Sequence, residues 1–137
     1  MRRAVVAISI LVGAALAING ASMLADPLRW FGSTPIVWRT GLANAHFIRD
    51  VGWTYVAVGT LVMTGAMRPR WTQPTIGLAI VWLAGHGAIH LGEVVTGACS
   101  RAAFLTEWPM VWGPVAFLAV ALLLDWAIHG RQYAATL

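Results

Sequence analysis

The sequence predicts an all-α integral membrane protein, a four-helix bundle with four transmembrane spans. Three observations carry that reading. Hydrophobic residues fill 59% of the 137 positions. Charged residues fill 10%, with no lysine, against roughly 25% in a soluble domain. Four apolar segments each approach the roughly 20 residues that cross the hydrocarbon of a bilayer. The chain reads as one transmembrane domain over residues 1–137, with no soluble catalytic module.

The first span is expected over residues 4–24. Arg2 and Arg3, an apolar core and small residues after it also have the form of a secretory signal. The apolar run is long for a signal, and Asn19, Ser22 and Asp26 continue a helical pattern, which favours a retained span. Residues 25–45 then form a connection. Asp26 before Pro27 is a helix start, predicting a short amphipathic turn over residues 26–31 with Leu28, Trp30 and Phe31 on its apolar side. Gly32, Ser33, Thr34 and Pro35 end it.

Asn44 is placed to cap the second span, residues 46–67. A tight turn around Arg68–Trp71 leads to the third, residues 75–96, so these two helices should be antiparallel neighbours. The fourth covers residues 108–128, with Pro109 at its start and Pro114 loosening its first turns. Trp30, Trp38, Trp71, Trp108 and Trp126 fall near span ends, as interfacial anchors do. Trp53, Trp82 and Trp112 lie deeper and read as bundle filling.

Nine arginines set the net charge of +4, and this reads as topology rather than nucleic-acid binding. With the N-terminus inside, Arg2, Arg3, Arg68, Arg70 and Arg131 face the cytoplasm. Arg29, Arg39, Arg49 and Arg101 lie outside. The expectation is a bacterial inner (plasma) membrane protein with both termini cytoplasmic.

The chemistry-bearing residues concentrate in the second and third spans. His86, His90 and Glu93 are spaced i, i+4, i+7, within about 60° of one another on a helix. Each charged group at mid-membrane costs at least roughly 2.5–3.5 kcal/mol, so three together suggest a polar site inside a bundle. His46 and Asp50 share a face of the second span, and folding about the 68–71 turn sets them at the depth of His90 and Glu93. The five residues His46, Asp50, His86, His90 and Glu93 are thus candidate ligands for a transition metal ion such as zinc, copper or iron. H-x-x-x-H is a weak motif by itself, and the H-E-x-x-H glutamate is missing. Haem is a less favoured occupant: Gly85, Gly87 and Gly92 would admit a flat macrocycle, but they equally suit close helix packing. The bland alternative is a hydrogen-bonded network, including Arg49, that holds helices together. Asp125 is expected near the opposite membrane face, paired with Arg131 or Arg70. The fourth span otherwise offers no ligand. Cys99 is a lone thiol, and no serine has a convincing local base.

The stretches NGASMLADPLRWFG, NAHFIRDVGWTYVAVG and HGAIHLGE together resemble small bacterial membrane proteins of DoxX-like appearance, over residues 17–97. The resemblance implies a four-helix fold and sets His46, Phe47, Arg49, Asp50, His86, His90 and Glu93 at its recurring positions. It carries no activity. Better-known DoxX-like proteins are associated with quinone-linked or sulfur redox complexes, a role that would extend here by analogy. The leading expectation is a small membrane subunit whose cluster binds a metal or redox cofactor. The alternative is a non-catalytic scaffold or accessory subunit, and a proton or small-molecule transporter is third. Expected partners are the lipid bilayer and other membrane subunits or a second copy, not nucleic acid.

Overall fold

A computed structural model describes residues 1–34, 37 and 41–134, with side chains through His129. Five helices follow in order: α1 Arg2–Ala25, α2 Pro27–Ser33, α3 Ala45–Ala66, α4 Pro69–Val95 and α5 Arg101–Ala134. The expected interfacial turn is α2. The Asp26 carboxylate accepts from the Arg29 N–H at 3.1 Å, and Pro27 sits where its missing donor costs nothing. Trp30 folds α2 back onto α1, its indole N–H donating to Asn19 Oδ1 at 3.0 Å. Asn44 caps α3, accepting from the N–H groups of both His46 and Phe47 at 3.1 Å. α5 begins well before Pro109, because Ser100 Oγ accepts from the Ala103 N–H at 3.2 Å and starts the helix there. Pro109 and Pro114 are therefore both interior. Pro35, Trp38, Arg39 and the Arg131 side chain lie outside the described residues.

Among the described residues, three helices, α1, α4 and α5, are long and apolar enough to cross a membrane. The chain is that of a membrane protein, but the expectation of four such spans is corrected. α3 has the length, 22 residues, but not the hydropathy. His46, Arg49 and Asp50 occupy its first turns, and glycines and threonines dilute the remainder.

α3 nevertheless packs most extensively against α1. Glycines let the two backbones meet. A Cβ on Gly13 would stand 2.6 Å from Met63 Cγ and 2.7 Å from Gly59 O. One on Gly20 would strike the Gly52 carbonyl and stand 2.8 Å from Tyr55 Cβ. Small residues at such contacts are how helices approach where lipid removes the hydrophobic drive between them. Val12 and Leu16 of α1, Val62 of α3, Ile76 and Leu83 of α4 and Leu118 of α5 form the buried core.

One end is closed by a polar knot. The Arg2 guanidinium donates to Asp125 Oδ1 at 3.0 Å, to Thr72 Oγ1 at 3.0 Å and to the Ala66 carbonyl at 2.8 Å. Gln73 Nε2 donates to Asp125 Oδ2 at 3.1 Å, and His129 Nδ1 lies 3.3 Å from the same oxygen. Among the described side chains, Asp125 therefore pairs with Arg2 and not with Arg70. Its carboxylate is fully buried and faces the start of α1, whereas Arg70 is exposed. The knot gathers the start of α1, the end of α3, the start of α4 and the last turns of α5. The long helices thus alternate in direction.

Two outcomes test this packing. Arg2→Ala leaves the fully buried Asp125 carboxylate with Gln73 and His129 but without its guanidinium, and should destabilise the detergent-solubilised protein by roughly 3 kcal/mol, the low end for breaking a buried pair. Asp125→Asn keeps neutral hydrogen bonds and should cost less; equal losses would contradict the assignment. Gly59→Leu collides with backbone rather than a movable side chain, so about 1–3 kcal/mol should be lost. Gly77, which faces open space, should accept alanine without loss in the same thermal unfolding assay.

Candidate functional site

The polar residues of α4 sit on an aromatic ladder. Trp82, His86 and His90 succeed one another at i, i+4, i+8 on one face. The Trp82 and His86 rings are stacked, 6.1 Å between centroids and 6° between planes. His86 and His90 meet edge to face at 4.8 Å. Tyr55 of α3 sets its ring against both Trp82, at 5.0 Å, and His86, at 6.2 Å. Trp108 and Trp112 form a second stack on α5, at 5.4 Å.

α5 supplies the acid. Glu107 is 8% exposed, and its Oε2 lies 3.1 Å from His90 Nδ1. At that distance the carboxylate and the imidazole pair across the two helices, with Nε2 left as the ring's other polar atom. Close approach of α4 and α5 at this level depends on Gly87. A Cβ there would stand 2.8 Å from Cε2 and Cζ2 of the Trp112 indole. Trp112 Nε1 is buried, with no hydrogen-bond partner among the described residues.

The expected five-residue set does not converge. His46 and Asp50 do meet, Nε2 to Oδ2 at 3.5 Å, but their side chains are 88% and 64% exposed. Their face lies about 200° around α3 from the face carrying Ile48 and Gly52, so it turns away from α1 and α4. An exposed pair of this kind contributes little, about 0–1 kcal/mol. Trp53 continues that outward face, 64% exposed, which corrects its assignment to bundle filling. Glu93 is half-buried on the last turns of α4. Its carbonyl accepts from the Cys99 N–H at 3.0 Å and the Thr96 hydroxyl at 3.2 Å, closing the helix end before Gly97. Among the described residues, no three His, Cys, Asp or Glu side chains group closely enough to hold a metal ion. The space beside Gly87 is taken by an indole rather than left for a macrocycle.

The acid that does meet His90, Glu107, escaped the sequence reading. Placing the helix start at Pro109 left Glu107 in a connection, and it also left α5 without a ligand. Both points are corrected by the helix start at Arg101. The available signal was a lone acid among Phe104, Leu105 and Trp108, flanking an apolar segment. No known protein family, curated protein or solved structure matches this chain.

Glu107→Ala should loosen the α4–α5 contact, raising amide exchange over residues 103–111 by up to about tenfold, the scale of a strong interhelical polar contact. Glu107→Gln, which keeps a hydrogen-bonding group beside His90, should change exchange less. Identical exchange in wild type and Glu107→Ala would show that the pair does not hold the helices.

Proposed function

We propose that this protein is a small non-catalytic scaffold or accessory subunit of a membrane assembly. The observation that supports it most is the use made of the two buried carboxylates. Glu107 joins α5 to α4 through His90, and Asp125 joins α5 to α1 and α4 through Arg2 and Gln73. Interhelical polar contacts of this kind average about 0.6 kcal/mol in membranes and reach roughly 1.7. They fix which helices meet and at what register, which is a structural use of expensive groups. Among the described side chains, four arginines, Arg2, Arg3, Arg68 and Arg70, lie at one end, against three, Arg29, Arg49 and Arg101, at the other. This bias favours a plasma-membrane orientation with Arg2 and His129 on the cytoplasmic side.

A second reading keeps the metal or redox subunit suggested by the sequence pattern and by analogy with DoxX-like proteins. It draws on the ring contact of His86 with His90 and on the pairing of His90 with Glu107. One experiment separates the two: metal analysis and a visible spectrum of gently purified protein, beside a His86→Ala/His90→Ala variant. The scaffold reading expects substoichiometric metal and no chromophore in either, with lowered thermal stability in the variant. Near-stoichiometric metal or a chromophore band, lost in a variant that still folds, would replace it with the cofactor reading.

A further inference from the structure

Ionised side chains divide unevenly between the two ends of the molecule. The chain has five acids. Asp26, Asp50, Glu93 and Glu107 lie at the end opposite Arg2, alongside Arg29, Arg49 and Arg101. The fifth, Asp125, lies at the Arg2 end, where it is fully buried and paired with Arg2. Arg3, Arg68 and Arg70 are exposed there, and no exposed acid offsets them. Among the described residues, their guanidiniums have no hydrogen-bond or ion-pair partner.

Arg2 bonds to the Ala66 carbonyl and to Thr72 Oγ1, which fixes the turn carrying Arg68 and Arg70 beside the first turn of α1. Trp71 and Trp126 are exposed at the same end, as aromatic side chains are where hydrocarbon gives way to headgroups. A groove of about 520 Å³ runs along α1 from this level, with Arg2 and Arg3 at its mouth and Val6, Ala7, Ile10 and Leu11 below them. Arg3, Ala7 and Leu11 are spaced i, i+4, i+8 on one face. The small Ala7 side chain makes the hollow between the longer two. α1 is apolar enough to cross a membrane, so the groove opens onto acyl chains.

We propose that this end binds an anionic diacyl phospholipid, with its phosphate at Arg3 and one acyl chain in the α1 groove. The guanidinium fork matches phosphate oxygens. Arg68 and Arg70 add positive potential, and each arginine near a membrane surface strengthens attraction to anionic lipid roughly fivefold. Cations alone would suit any soluble anion, and the apolar groove directly beneath them is what selects a lipid. An acidic protein would meet the arginines but leave the groove empty of its own atoms. Lipid binding here goes beyond the scaffold reading and does not depend on it.

The test is native mass spectrometry of the full chain in detergent, titrated with phosphatidylglycerol or with phosphatidylcholine of the same acyl chains. Phosphatidylglycerol should bind roughly tenfold more tightly. Arg3→Gln should lower its affinity roughly fivefold, whereas Arg29→Gln, at the opposite end, should leave it unchanged. Ala7→Leu fills the hollow and should weaken binding roughly fourfold, the loss of about one buried CH₂. All three positions are exposed, so the variants should fold. Equal affinity for the two lipids would overturn the proposal, as would a loss in Arg29→Gln equal to that in Arg3→Gln. Unchanged or tighter binding by Ala7→Leu would also overturn it, by taking the acyl chain out of the groove. Displacement of the lipid by an equal concentration of glycerol 3-phosphate would replace it with a site for a soluble anion.

Discussion

A carboxylate with no exposed surface, in an apolar stretch of helix, has to be neutralised inside the protein. Asp125 meets that requirement through Arg2, and most of the architecture can be read outward from their 3.0 Å contact. The guanidinium has more donors than Asp125 can use. It spends the others on Thr72 and on the Ala66 carbonyl, where α3 ends and has no intrahelical donor left for it. One side chain near the start of the chain thereby ties together the first helix, the turn between α3 and α4, and the end of the last helix. Gln73, Trp126 and His129 complete the hydrogen bonding around it. Such a knot sets the relative depth of the helices, since sliding one by a turn, about 5.4 Å, would break several bonds at once.

Between its ends the molecule relies on contact rather than polarity. Gly13 and Gly20 against Gly59 and Gly52 bring α1 and α3 to backbone contact, and dispersion over that seam replaces the hydrophobic drive that lipid cannot supply. The same device appears once between α4 and α5, where Gly87 receives the Trp112 ring. That contact brings the start of α5 close enough for Glu107 to reach His90. Polar pairing at the second end of the molecule is thus conditional on a packing detail about one turn away. The aromatic rings of Tyr55, Trp82 and His86 then wall the histidines from the core.

The two ends differ in consequence. At the Arg2 end, a carboxylate, a guanidinium, an amide and an imidazole form a network of several partners. At the Glu107 end, among the described residues, one pair bridges α4 and α5 beside an indole N–H that has no partner. The outward face of α3 stands apart from both, because its His46–Asp50 pair is exposed and joins no second helix.

The sequence by itself determined the membrane class, the helix-rich fold, the caps at Asp26 and Asn44, and the histidine face of α4. These are local properties: composition decides the solvent, side-chain oxygens cap the nearest free N–H groups, and a 3.6-residue period puts His86 beside His90. The span count went wrong because length alone was allowed to qualify α3, whose His46, Arg49 and Asp50 lower its hydropathy. Only the tertiary structure decided which polar residues meet. Helix rotation about its own axis turned His46 and Asp50 outward, and an earlier start to α5 brought Glu107 into the helix and onto His90. Arg2 and Asp125 lie 123 positions apart, and no period or motif links them. Their pairing follows from the alternating order of the helices and from the depth at which the glycine contacts let them lie.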